Sequence, residues 1–325
     1  MLLELIGHNR VVFFGGKGGV GKTTVASATA TALADSGRKV LLVSTDPAHN
    51  LGHLWDRRIG DKRICVRDNL DVIELDPAAT TKQHLREVGD TMRAMMPEHL
   101  HKEVAKHLKM AAESPGTHEA AILERIAKLV VEDADGYDHL VFDTAPSGHT
   151  SRLMALPELM AVWTDGLLER RARSEHLSAL VRGLTPSGRD RAVAGSEDPV
   201  DRRNQKLRAL LLARRERFQA LRAVLTDPAE CVFFIVLTAE RLPVLETGEF
   251  YTDLHSSGVR VGGLVVNRRS PTDQGEFLAS RHALEEQALK TLSGSVRKLP
   301  LIQLPLLPSD ISGTAGITEF ARLLA

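Results

Sequence analysis

The chain has 325 residues, and its 42 Lys plus Arg balance 42 Asp plus Glu. Zero formal charge excludes a protein whose main task is to neutralise a phosphate backbone, so no nucleic-acid partner is expected. A 43% share of hydrophobic residues excludes intrinsic disorder, two cysteines (Cys65 and Cys231) exclude a disulfide framework, and the longest apolar run, Cys231 to Leu237, falls far short of the ~20 residues of a membrane helix. Glu4, His8, Asn9 and Arg10 interrupt the opening too early for a secretory leader. The expectation is a globular, cytoplasmic protein in a reducing compartment.

In chain order, Arg10–Gly15 reads as a first strand, followed by a glycine-rich turn and an Ala/Thr-rich helix over Thr23–Ser36 with Gly37 as its stop. Strands are expected at Lys39–Thr45 and Leu70–Leu75. Asp76 to Gly136 shows helical periodicity only. A strand at Asp138–Asp143 comes next, then a second helical stretch from Thr150 to Pro228. Within it, Leu207, Leu210, Leu211, Phe218, Leu221 and Val224 follow three-to-four spacing. Gly183–Asn204, poor in large apolar residues, reads as a mobile loop. Cys231–Leu237, Val259–Asn267 and Leu299–Leu304 complete the strands. Near-continuous Val, Ile, Leu and Phe runs point to strands buried on both faces of a parallel sheet. The rhythm is α/β and doubly wound.

Gly16-Lys17-Gly18-Gly19-Val20-Gly21-Lys22-Thr23 leaves the first strand and opens the first helix, satisfying G-x-x-x-x-G-K-T. Its glycines let backbone N–H groups turn inward on phosphate oxygens, and the helix N-terminus adds partial positive charge. Lys22 would reach the β- and γ-phosphates, the Thr23 hydroxyl would hold Mg²⁺ directly, and Thr24 extends the cradle. The same run contains the dinucleotide fingerprint Gly16, Gly18, Gly21, with Asp46 as a ribose acid, but that reading leaves Lys22 and Thr23 without a role. A P-loop NTPase with a mostly parallel sheet and an inserted helical subdomain is expected. The nucleotide core would span about 8–76, 137–150 and 229–325, and the helical subdomain about 77–136 and 151–228.

Ser44-Thr45-Asp46-Pro47-Ala48-His49 ends the second strand. A carboxylate there can orient the attacking water or take its proton, although an Asp before Pro also serves as a turn or helix cap. Asp143-Thr144-Ala145-Pro146-Ser147-Gly148-His149-Thr150 ends the strand before the second helical stretch. An acid at that edge is where a Mg²⁺ shell needs one, and Gly148 frees the following segment to move with the γ-phosphate.

With Lys17 at the second loop position, these segments resemble the deviant-loop ATPases that include the arsenite-pump ATPase (ArsA) and the ATPase that targets tail-anchored membrane proteins. MinD and the nitrogenase iron protein are more distant. Ser147 replaces the family's usual Thr and keeps the hydroxyl. The resemblance implies an ATP- and Mg²⁺-using dimer, either of two like chains or of this chain with a paralogue. Lys17 would act across its interface on the partner's nucleotide, as a cation stabilising charge on the departing phosphoryl group. It implies that Asp46 is the hydrolytic acid and Asp143 the switch acid, both near Mg²⁺ through water. Glu240 would reach across the dimer, and Asn267 would contact adenine, where an amide can pair with the base edge; a strand-end turn residue is the plainer reading of Asn267. Pro115-Gly116-Thr117-His118-Glu119, Arg152–Pro157 and Leu304–Pro308 extend the likeness along the chain.

Departures from the family narrow the ligand. Soft As(III) wants three thiolates, and two cysteines do not supply them. No C-x-x-C pair or cluster cysteines occur, so no zinc or iron–sulfur site is expected. His84, His99, His101, His107 and His118 suit a solvated helix face better than a metal site. Four methionines lie in Met92–Met110 and two in Met154–Met160. They fit either a groove for a hydrophobic client helix or ordinary core packing. Thr164–Thr226 carries 14 Lys plus Arg against 8 Asp plus Glu, a surplus suited to anionic lipid, an acidic partner or plain solvent. The expected function is a dimeric ATPase that couples hydrolysis to a protein client, with peripheral membrane association open. The alternatives are the energising subunit of an anion transporter and a MinD-like membrane-surface switch. The last segment, Ile317 to Ala325, reads as a docked helix rather than a membrane anchor.

Overall fold

The apolar runs become strands β1 (Val11–Gly15), β2 (Val40–Ser44), β3 (Ile64–Arg67), β4 (Leu70–Glu74), β5 (His139–Asp143), β6 (Cys231–Thr238), β7 (Val261–Arg269) and β8 (Leu301–Pro305). The structure, a computed structural model, describes all residues except 47, 49, 96–97, 115, 149, 151–153, 159, 161–164, 167–168, 170–198, 293 and 325. One sheet contains the eight strands in the order β3-β4-β2-β5-β1-β6-β7-β8. All pairings are parallel except β3 with β4.

β3 is the strand that periodicity did not reveal. It is four residues long and only Val66 is buried, too little alternation to stand out from its polar neighbours. The hairpin to β4 turns through Asp68 and Asn69, and Asn69 takes the left-handed conformation, φ 61°, that Asn tolerates better than most residues.

The described helices are α1 (Leu2–Ile6), α2 (Lys22–Asp35), α3 (Asn50–Trp55), α4 (Pro77–Met95) and α5 (His101–Ala112). After them come α6 (Thr117–Val131), α7 (Pro199–Thr226), α8 (Arg241–Ser256), α9 (Glu276–Lys290) and α10 (Gly313–Ala321). The start of α7 means that residues 199–204 of the expected loop are helical, whereas 183–198 lie outside the described residues.

Alternation along the strands feeds two cores. Val12 and Phe14 join α1, α2, α3 and α10 on one face, and Val11 and Phe13 join α6, α7 and α8 on the other. α2 is buried on nearly every side because Ala26, Ala28 and Ala30 let its backbone approach the sheet. On the second face α6 lies directly against the strands, with Ile122, Leu123 and Ile126 in the core, as do Phe218, Leu221 and Leu225 of α7. α4 and α5 pack outside α6. Among the described residues no helix is long and apolar enough to cross a membrane.

Four arginines of the basic stretch Thr164–Thr226 are paired within the chain. Arg214 and Arg217 pair with Glu124 at 2.6 and 2.8 Å, Arg215 with Asp165 at 2.8 Å and Arg222 with Glu158 at 3.1 Å.

Candidate functional site

The C-terminal ends of β1, β2, β5, β6 and β7 share one edge of the sheet, and parallel α/β sheets bind ligands beyond that edge. The loop leaving β1 is pressed onto its neighbours. A Cβ at Gly16 would lie 2.1 Å from the Val236 carbonyl oxygen, and Gly16 has φ 151°. A Cβ at Gly21, φ 94°, would lie 2.3 Å from Asn267 Nδ2. A side chain at Gly16 would displace the backbone of β6, and one at Gly21 would sit in left-handed backbone and displace the Asn267 amide. Lys22 opens α2, is buried, and donates from Nζ to the Lys17 carbonyl at 3.0 Å. Burial pulls its pKa below the usual lysine value, against the opposing attraction of Asp143 and Asp46.

Asp143 is the hub beneath the loop. Its Oδ2 accepts from Thr23 Oγ1 at 2.7 Å and from Ser44 Oγ at 3.1 Å. Its Oδ1 is buried and has no hydrogen-bond partner. Burial pushes the carboxyl up to about 7, a rise that the Thr23 hydrogen bond and the Lys22 charge only partly offset. An orphaned, desolvated carboxylate oxygen beside a threonine hydroxyl fits a hard divalent cation, which takes oxygen ligands. Among the described residues no cluster of three His, Cys, Asp or Glu gathers.

The raised Asp143 pKa has a stability signature. Between the ordinary value of 3.8 and about 7 the native state binds more protons than the unfolded state, so stability falls as pH rises through that window. Without nucleotide and magnesium, thermal melts of wild type relative to Asp143→Asn are expected to lose ground between about pH 4 and about pH 7. The loss can reach on the order of 4 kcal/mol at about 1.4 kcal/mol per pKa unit. A difference between the two proteins that does not change with pH would contradict the burial of a protonated carboxyl.

The segment after β2 is fixed at both ends. Thr45 N–H donates to the Asp143 carbonyl at 2.9 Å, and Leu51 N–H, at the start of α3, donates to buried Glu74 Oε1 at 2.9 Å. Between them Asp46 is buried, and its Oδ1 accepts from Ala48 N–H at 3.0 Å. It therefore forms the turn cap while also lining a cavity beside the loop.

Two cavities flank the loop. One, about 350 Å³, is lined by Lys22, Thr23, Thr24, Asp46, Ile311 and Ser312 among others. The other, about 370 Å³, holds Lys17, Glu240 and Arg281. The loop itself (Gly19) and Arg268 border both. Lys22, Thr23, Thr24, Asp46 and Asp143 are thus brought together, while Lys17 and Glu240 lie on the other side. Lys17 Nζ donates to Glu246 Oε1 of its own chain at 2.5 Å. Glu240 precedes α8 and accepts from Arg281 at 2.9 Å. Asn267 sits below the loop, donating to the Val20 carbonyl at 2.9 Å and accepting from Arg268 N–H at 3.0 Å.

Three residues at this edge escaped sequence reasoning. Ser44 was visible in its motif but had no role until its hydroxyl met Asp143. Arg268, in left-handed backbone at φ 59°, donates to the Gly19 carbonyl at 3.2 Å. Glu246 lies mid-helix in α8 with no motif to mark it. The methionines divide: Met154 is in the sheet core and Met160 packs against it, whereas Met110 is 59% exposed. The side chains of Met95 and Met96 lie outside the described residues. His118 shares a 2.8 Å hydrogen bond with Thr81, and His107 and His101 bond backbone carbonyls.

A buried parallel strand running into this glycine loop and then into a sheet-packed helix is the architecture of the P-loop nucleoside triphosphatases. Residues 9–325 match the family described as anion-transporting ATPase, and the chain belongs to that family and is an ATPase. It is 32% identical to the putative arsenical pump-driving ATPase 2 of Aquifex aeolicus, covering 97% of this chain and 99% of that protein. ATPase ASNA1 homolog 2 of Paramecium tetraurelia is 29% identical, covering 96% of this chain and 92% of that protein. The arsenical pump-driving ATPase of Escherichia coli is also 29% identical, over 97% of this chain but 48% of its own length.

Proposed function

We propose that two copies of this chain, or this chain and a paralogue, form a magnesium-dependent ATPase in which each Lys17 serves the other chain's nucleotide. The observation that carries this is the separation of Lys17 from the cavity of Lys22, Thr23 and Asp46. A cation on the outer side of its own phosphate loop is badly placed for its own γ-phosphate and well placed for a facing one. Within one chain, Lys22 holds the phosphates, and Asp46 orients the attacking water and accepts its proton. Thr23 would hold Mg²⁺ directly, with Asp143 and Asp46 acting through water, and the ion would neutralise charge on the phosphate oxygens. Glu240, on the same side as Lys17, faces the partner. Asn267 braces the loop through one amide N–H, and its second amide N–H would be the group that meets the base.

The work of the cycle would be binding and release of a client at the helices α4 to α7, with an apolar helix as the favoured class. Exposed Met110 supports an apolar surface there, and the burial of Met154 removes that residue from it. The anion-pump names of the relatives supply the competing reading. For arsenite it lacks a site: Cys65 is exposed on the edge strand β3, and Cys231 is buried in β6. ATP hydrolysis measured over a range of protein concentrations tests the dimer. Specific activity is expected to rise and then level off, and a value independent of concentration would overturn the shared site.

A further inference from the structure

Lys17 does not project freely from the phosphate loop. Gly16 is wedged against Val236, and its carbonyl accepts from Ser147 N–H at 3.1 Å. The backbone that aims Lys17 is therefore held from two sides. Its ammonium ends on Glu246, in the second turn of α8. That helix is fixed to the sheet: Val244 and Leu254 are buried in the core, and Phe250 packs edge-on against Phe233 with centroids 5.6 Å apart. Glu246 is consequently a carboxylate on a rigid element, set where the loop lysine of the same chain must rest.

We propose that Glu246 is a positioning residue that parks the Lys17 ammonium within its own chain until a second copy docks. This rests on the cross-subunit reading given above. Both side chains are about two-fifths exposed, 42% and 41%, and an exposed ion pair of this kind is weak enough to open. Opening one pair in each chain would be part of closing the dimer, so the carboxylate sets how readily the lysine leaves for its neighbour. Removing the negative charge while keeping the shape should favour the ATP-bound dimer.

The test is sedimentation of wild type, Glu246→Gln and Glu246→Asp with magnesium and a non-hydrolysable ATP analogue, each repeated in a Lys17→Ala background. Glu246→Gln is expected to lower the dimer dissociation constant roughly three- to tenfold, since two weak pairs are lost per dimer, and Glu246→Asp should restore much of the wild-type value. In the Lys17→Ala background the same substitution should produce no shift, an outcome that a merely structural role for Glu246 would not give. A dimerising wild type with no shift in Glu246→Gln, or the same shift with and without Lys17, overturns the parking role alone. A wild type that stays monomeric with the analogue overturns the shared site and the parking role with it.

Discussion

Lys17→Ala is expected to lower turnover by about 10³–10⁵-fold, the range associated with a cation supplied in trans to phosphoryl transfer, while nucleotide affinity changes little. The two effects separate because Lys22, not Lys17, lines the cavity with Thr23 and Asp46, and the Lys17 ammonium rests on Glu246. Phosphate release in single turnovers, read beside binding of a fluorescent nucleotide, shows both. Normal hydrolysis by the variant would remove Lys17 from the chemistry. Weakened binding with unchanged turnover would make it an ordinary phosphate ligand of its own loop.

The second large effect belongs to Asp46→Asn. The amide oxygen can still accept from Ala48 N–H, so the turn built by Oδ1 at 3.0 Å survives, and the loss is confined to the base. Turnover should fall by roughly 10²–10⁴-fold, the usual contribution of a positioned general base, with ATP retained and the dimer persisting in gel filtration. Mixing the two impaired variants in equal amounts gives the sharpest outcome. Half of the dimers then pair unlike chains and each keeps one complete site, so about a quarter of wild-type activity should return. No recovery would mean that the lysine and the acid act within one chain. The same Asp46→Asn protein, loaded with ATP, is the bait for any client of the proposed cycle.

Most of the sheet was readable because its strands are buried on both faces and therefore carry runs of Val, Leu, Ile and Phe that no surface segment could sustain. The phosphate loop was readable for a different reason: glycine is demanded at 16 by a 2.1 Å contact that a Cβ would make with backbone and at 21 by a φ of 94°, so the spacing is a steric record. β3 was missed because an edge strand with one buried residue leaves no period to detect. Helix α1, five residues long, is too short for a turn-by-turn pattern, and it is held instead by Leu2 and Ile6 in the core.

At the site, residues whose chemistry follows from local spacing were legible, and those whose partners come from afar were not. Glu246 meets Lys17 across 229 positions and Arg268 meets Gly19 across 249. Nothing in either neighbourhood marks such a meeting. Asn267 shows the opposite limit. The sequence admitted both a turn residue and a base-facing amide, and in the structure one of its amide N–H bonds is already committed to Val20.

The moorings of the segment after β2 limit how far Asp46 can travel. Thr45 is tied to the Asp143 backbone and Leu51 to the Glu74 carboxylate, and Asp46 follows directly on the first of these ties. One residue from a fixed point, Asp46 is restricted to local swings. A rearrangement felt by distant helices must then leave through α3 turning as a rigid lever on Glu74, or through the chain after Asp143, where the Ser147 N–H tie to the Gly16 carbonyl at 3.1 Å couples it to the loop leaving β1.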